Sequence, residues 1–427
     1  MSHILRKLRY NKVFFAMLIL CVIMLPSVIY KTSESDRIAI SVMLGIDKTE
    51  DDEVELTVMY LTPQSSNDIN KNYTVATSSA ETVENAIAEM QFKLGKDIGL
   101  SHTQAIILSE KVAQEEPLKY LDVFTRTNRL TTNALLLVSN KPKELLETHL
   151  EQSTKQSISL ITIMEYNNQN EFTKHMNLEQ FYSECFDESS VSLVPIINVK
   201  KSEEDSDSSE DGSGGNESSG NASSPSSGQQ SGSSGNDSSP QGSDKKELDN
   251  TGDVAVFVDG NLKRVLKKEE VSVFNLLSSE TPNGSIKLEN ITNKYIKNAD
   301  LYIGVRKKNI TSSYSFVNGY PVFQVNASIS FQLNEIFADE YSLNSISVVD
   351  SQIDDITKRA ILDKIHKDYS NLVNIAKDEN IDLFILNKRF HRLWNEEWAE
   401  YLLTLDTDDN FMQRVLFLLN IEIIDNG

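Results

Sequence analysis

Cysteine is nearly absent: the 427 residues hold two, Cys21 and Cys185. Cys21 sits inside an uncharged apolar run, so a disulfide to Cys185 is excluded, and no disulfide framework holds the fold. An exported chain of this size without disulfides suits a bacterial surface of the single-membrane type better than a eukaryotic secretory route. The sequons at Asn72, Asn216, Asn290, Asn309 and Asn326 are then chance matches in an Asn- and Ser-rich chain. Histidine is also scarce, with six residues. His149, His175, His366 and His391 lie far apart and show neither H-E-x-x-H nor H-x-x-x-H spacing, which leaves a catalytic or structural metal without support. No G-x-S-x-G elbow accompanies Ser101 and His102, so a hydrolase reading has a histidine but no nucleophile motif. Positive charge is in deficit, 41 Lys and Arg against 63 Asp and Glu for a net charge of -22. That balance argues against nucleic acid, or an anionic lipid surface, as the main partner.

Long hydrophobic runs are missing except for one. Val13 to Tyr30, VFFAMLILCVIMLPSVIY, carries no charge between Lys12 and Lys31. As a helix its length is about 27 Å, against a hydrocarbon core of about 30 Å. Arg6, Lys7, Arg9 and Lys12 precede it, whereas Glu34 and Asp36 soon follow Lys31. The charge bias predicts a cytosolic segment 1–12, a transmembrane helix or signal anchor over 13–30, and an exported remainder. A cleaved signal peptide would give the same export and orientation, and a buried core helix is the third reading.

The exported part, roughly 390 residues, is long enough for two or three domains. Ile38 to Ile46 and the alternating Val54, Leu56, Val58 and Tyr60 read as two strands joined by an acidic turn. Ser78 and Glu81 read as a capping box before a helix with Val83, Ala86, Ile87, Met90 and Leu94 on one face. Ala105 to Leu108 reads as a strand, EPLKYLDVFTRT as a helix, TTNALLLVS as a strand buried on both faces, and Pro142 as the start of a helix with Leu145, Leu146 and Leu150. These elements make residues 36–200 an N-terminal α+β domain.

Residues 201–250 change composition to Ser, Gly, Asn and acidic residues, with Leu248 as the only large aliphatic side chain. Such a segment buries too little apolar surface to offset its ordering entropy and is expected to be a disordered acidic loop. Composition alone leaves open whether it is an insertion or a linker. Residues 251–285 follow as a hairpin, turning at Asp259 and Gly260, and a helix over Lys268 to Leu277 that completes the N-terminal or a middle domain. Residues 286–427 read as a separate α+β domain. It has a turn at Asn318 and Gly319, a strand with Phe323, Val325, Ala327, Ile329, Phe331 and Leu333 on one face, a long helix from Ile353 to Ala376, and VLFLLNIEIID as a central strand. The expected fold is thus multidomain α+β, with mixed and antiparallel sheets, packed helices and one N-terminal transmembrane helix.

Other candidate chemistry is thin. Asp47, Asp51, Asp52 and Glu53 lack the Gly and terminal Glu of an EF-hand and read as a solvated turn. Trp394 and Trp398 are either a partner-facing aromatic patch or part of the C-terminal core. No catalytic, cofactor-binding or metal-ligating residue is assigned, and no cofactor is expected.

In order along the chain, ISVMLGIDKTEDDEVELTVMYLTP, LSHTQAIIL, the pair Arg126 and Arg129 before TTNALLLV, DVAVFVDGNLKRVL, and DENIDLFILNKRFHRLWNEEW resemble consecutive landmarks of the Ger(x)C spore germination proteins. These are C subunits of germinant receptors in endospore-forming bacteria. The resemblance implies a non-enzymatic extracytoplasmic subunit working with integral-membrane A and B subunits at the spore inner membrane in nutrient-triggered germination. An exported solute-binding or adhesive surface protein, or an exported hydrolase using His102, are the rival readings. Family members end their signal peptide in Gly-Cys-Trp-Asp. Here Ile29 stands at the lipidated Cys position and Tyr30 at the Trp, so a helix is expected to replace the lipid as anchor.

Overall fold

The computed structural model describes residues 37–61, 73–127, 129–156, 176–201, 246–278, 284–293, 296–341, 353–406 and 410–424. The expected cytosolic segment, the apolar run 13–30, His175 and the Ser-rich residues 202–245 lie outside the described residues. Among the described residues no helix is long and apolar enough to cross a membrane.

The first sheet takes β1 (Ile38–Lys48), β2 (Val54–Leu61), β3 (Tyr73–Ala80), β4 (Asp97–Gly99), β5 (Ala105–Ser109) and β6 (Leu135–Ser139) in the order β3-β2-β1-β5-β6, with β4 beside the start of β1. β1, β2 and β3 are antiparallel, whereas β5 and β6 run parallel to β1. The acidic turn closes with Thr49 N–H on Glu53 O at 2.8 Å, and Asp52 adopts φ 67. The uninterrupted apolar runs of β5 and β6 follow from cover on both faces. Ile106, Leu108, Leu136 and Val138 pack under α1 (Val83–Leu94), α2 (Glu110–Gln114) and α3 (Pro117–Thr127). Ala105, Ile107 and Leu137 meet Leu145 and Leu146 of α4 (Pro142–Gln156) on the opposite side. The cap of α1 differs from expectation. Thr82 is the N-cap, accepting from Asn85 N–H, while Ser78 is a buried β3 residue donating to Ala86 O at 2.7 Å. Ser78 points into the core because β3 continues to Ala80, too far for a cap to form two residues earlier. α5 (Leu178–Cys185) carries a capping box from Asn177 and Gln180 and buries Leu178, Phe181 and Cys185 in the core beneath α1 to α3.

β7 (Val191–Pro195) precedes the Ser-rich segment and β10 (Val254–Val258) follows it, yet the two pair antiparallel, and β11 (Asn261–Leu266) completes a three-stranded sheet. Between them β8 (Asn198–Lys201) pairs with β9 (Lys246–Asp249). Residues 202–245 are therefore an insertion within one structural unit. The expected disordered span 201–250 is too wide: Lys246–Asp249 is a strand, held because Leu248 packs beside Val199 against the α4 core.

β10 faces two ways. Ala255 and Phe257 belong to the first core, whereas Val254 and Val256 belong to a second one. That second core is built by α6 (Lys268–Leu276), β12 (Ser285–Ile291), β13 (Ile296–Val317), β14 (Tyr320–Tyr341), α7 (Asp355–Asp378), α8 (Leu386–Leu393), α9 (Asn395–Leu403) and β15 (Leu416–Ile423). The four strands lie in the order β12-β13-β14-β15. α6 buries Val271, Val273 and Leu276 here, so side chains of residues 251–285 pack into the C-terminal core as well as the N-terminal one. Phe323, Val325, Ala327, Ile329 and Phe331 of β14 face α7, whose buried side is Ile361, Ile365, Tyr369, Leu372, Val373 and Ala376. Burying side chains such as Ile361 and Leu372 stabilises the lobe by about 1.5–3 kcal/mol each. Leu333 is half-buried, and Ile356, in the first turn of α7, is 52% exposed. β15 is an edge strand, not a central one. It pairs with β14 alone, and Leu416 and Leu418 stay exposed while Phe417 and Leu419 pack inward. Mixed α+β architecture is what the periodicities imply, in two lobes that share β10.

Candidate functional site

The densest polar arrangement linking distant parts of the chain lies where the lobes meet. The loop Asp187–Ser190 follows α5, and the segment Asp382–Arg392 leads from α7 into α8. Asp382 is 5% exposed and accepts from Leu386 N–H at 2.7 Å, Asn387 N–H at 2.8 Å and the Ser189 hydroxyl at 2.9 Å. Ile385, with φ 54, bends the backbone so that these amides converge on the carboxylate. Burial pushes the Asp382 carboxyl up from its usual range, opposed by those three hydrogen bonds. Asn387 donates to Glu188 O at 2.7 Å and accepts from the Trp398 indole at 3.0 Å. Lys388 pairs with Asp187, and His391 Nδ1 lies 3.0 Å from Glu188 Oε1. Burial alone would raise Asp187, but Lys388 and the Glu188 N–H hold it below the usual carboxylate range. A second tie runs from Arg264 on β11 to Glu379 at the end of α7. The arrangement ties two lobes together through a buried carboxylate whose partners come from both.

The sequence-derived candidates are not brought together. Ser101 and His102 occupy an exposed turn between β4 and β5. Asp47 accepts from Lys48 N–H, and Asp52 and Glu115 both pair with Lys48, the latter at 2.5 Å, which raises the ammonium pKa. That turn already holds its own cation. His149 is buried on α4, 4% exposed, its Nδ1 has no hydrogen-bond partner among the described residues, and burial pushes it down to about 4. His366 is exposed on α7. Arg126 pairs with Asp122, and Arg129 with Glu84 at 3.3 Å, both on the surface. The Cys185 thiol is buried and pushed up to about 11 by that burial. Trp398 stacks on Phe390 at 5.1 Å in the core, whereas Trp394 is half-buried against that core and its indole donates to Tyr314 O at 2.8 Å. Among the described residues no three His, Cys, Asp or Glu side chains gather to hold a metal. An open cleft of about 1010 Å³ separates α6, β12 and α7, with Val273, Leu276, Ile286 and Leu288 along its floor and Lys287 and Lys364 at its rim. Asp382, Ser189 and Asn387 escaped sequence reading. The one available signal was a lone carboxylate inside the otherwise apolar IDLFIL.

Residues 31–199 match the family described as Spore germination protein N-terminal domain, and residues 252–408 match Spore germination B3/GerAC like, C-terminal. The unmatched interval between them contains the insertion. Among curated proteins, the putative spore germination protein YfkR of Bacillus subtilis (strain 168) is 28% identical over 139 residues, 31% of this chain and 34% of that protein. The chain thus aligns with about a third of that relative's length. Among solved structures, the crystal structure of the GerBC protein aligns over 90% of this chain and 97% of that one, with 15% identity and a TM-score of 0.45. Both lobes carry a family match, in the order in which the five landmark segments run along the chain, and the protein belongs to the Ger(x)C family of spore germination proteins.

Proposed function

We propose that this chain is a non-enzymatic, extracytoplasmic subunit of a germinant receptor, held at the spore inner membrane and working with integral-membrane A and B subunits in nutrient-triggered germination. The observation that carries the reading is the pair of family matches, one on each lobe, covering 31–199 and 252–408. Anchoring by residues 13–30 is supported by the uncharged run and the basic residues before it. The working units are an N-terminal lobe, a C-terminal lobe and the Ser-rich insertion between β8 and β9. The clasp around Asp382 suits a subunit that couples neighbours as one rigid body. His102 lies with Ser101 in an exposed turn, and no hydrogen bond among the described residues ties it to an acid, which favours the non-enzymatic reading over the hydrolase one.

Deleting the gene tests this. Spores lacking the chain are expected to lose the response to at least one nutrient while germinating normally with a receptor-independent stimulus, and His102→Ala restores full function. Normal response of the deletion to every nutrient overturns the receptor reading.

A further inference from the structure

At the start of β1 the fold places an exposed aromatic and three cations side by side. Ile38, Ala39 and Ile40 pair in parallel register with Asp97, Ile98 and Gly99 of β4. β4 is reached from α1 through Gly95, which turns the chain in the left-handed conformation at φ 61. The last turn of α1 and this connection, Phe92-Lys93-Leu94-Gly95-Lys96, therefore adjoin Arg37. α1 buries Val83, Ala86, Ile87 and Met90, and leaves Phe92 85% exposed. Lys93 pairs with Glu89 at 3.4 Å, while Lys96 has no ion-pair partner among the described residues. With Asp36 next to Arg37 in the sequence, three bases (Arg37, Lys93, Lys96) balance three acids (Asp36, Glu89, Asp97) here, in a chain with 63 acids to 41 bases.

Only residues 31–36 separate Tyr30, the end of the apolar run, from Arg37. Fully extended, that tether reaches about 20 Å. On the reading that 13–30 spans the membrane, Arg37 and the turn beside it stay within that distance of the bilayer however the lobe is oriented.

We propose that this corner, Phe92 with Lys93, Lys96 and Arg37, rests on the bilayer, with the Phe92 ring at headgroup depth, and so sets the orientation of the N-terminal lobe. The proposal rests on the membrane-anchored reading above. An aromatic flanked by cations is the side-chain set that partitions to a lipid interface: the ring leaves water and the ammonium groups meet phosphates. The acidic remainder of the chain is repelled by the same anionic surface, so a corner whose charges balance is the one that can approach it.

The test uses the full chain in vesicles of phosphatidylglycerol and phosphatidylethanolamine, with or without lipids brominated near the headgroup. Phe92→Trp adds fluorescence to that of Trp394 and Trp398, and Phe337→Trp, at a position 71% exposed on β14, is the control. The F92W signal is expected to shift to shorter wavelength and to be quenched about twofold by brominated lipid. The F337W signal stays unquenched, and adding Lys93→Glu with Lys96→Glu to F92W reduces the quenching. A chain that floats with vesicles while F92W is unquenched, or is quenched no more than F337W, overturns the surface contact and leaves the anchor standing. A chain that does not float overturns the anchor and the contact with it.

Discussion

Two buried side chains set measurable consequences at the scale of single residues. Unfolded, His149 titrates near its ordinary 6.5; folded, burial holds it at about 4. Between these values the unfolded chain binds the extra proton, so His149's contribution is fully present above pH 6.5 and is lost as pH falls through 4. The shift corresponds to about 3 kcal/mol. His149→Leu is expected to lose that much less stability than the parent between pH 7 and pH 4 in urea titrations; parallel pH profiles would contradict the burial argument. Asp382 differs, because its carboxylate answers two backbone amides and a hydroxyl. Asp382→Ala leaves those donors without a partner and should cost about 3 kcal/mol, against about 1 kcal/mol for Ser189→Ala. Equal midpoint shifts for the two variants would show that the carboxylate is not the centre of the clasp.

At the scale of elements, the two turn glycines separate conformational from steric cost. Gly260, between β10 and β11, and Gly319, between β13 and β14, both adopt φ 80 after a left-handed residue, Asp259 at φ 50 and Asn318 at φ 52. Any L side chain there loses about 1–2 kcal/mol from backbone strain. A Cβ on Gly319 meets nothing within 4 Å, whereas one on Gly260 lies 2.9 Å from Leu118 Cδ1 and 3.5 Å from Cys185 Sγ. Gly260→Ala is therefore expected to lower the melting temperature clearly more than Gly319→Ala, and equal losses would remove the steric argument. Both hairpins were legible because Asp-Gly and Asn-Gly between apolar flanks impose one turn type. The buried strands and the face of α7 were legible for the same local reason, a period of two or 3.6 in apolar residues. Sheet order was not. β15 is as apolar as a central strand, and only its tertiary position exposes Leu416 and Leu418. Nor was the clasp, since its partners Ser189 and Asp382 stand 193 residues apart.

At the scale of the whole molecule, the β8–β9 ribbon makes the insertion a closed loop whose ends are already paired. Replacing residues 202–245 by five Gly and Ser residues should leave the fold intact and raise stability by about 2 kcal/mol, since three halvings of loop length each recover about 0.6 kcal/mol. A destabilised product would mean that the insertion contacts the lobes. The shared strand bears on the order in which the chain acquires structure. A polypeptide emerges gradually as it is synthesised, and β7 lacks its neighbour β10 until residue 258 is out, 63 positions after Pro195. Until then Phe181 and Val194 have no Phe257 to close over them. When β10 does arrive, its other face, Val254 and Val256, lies bare until α6 and the second sheet follow. Maturation of the chain is thus a relay in which each half waits on the other, with a window of exposed apolar surface whose length is set by the Ser-rich insertion. Lengthening that insertion would widen the window in which folding factors or proteases act, without altering a single contact in the finished protein.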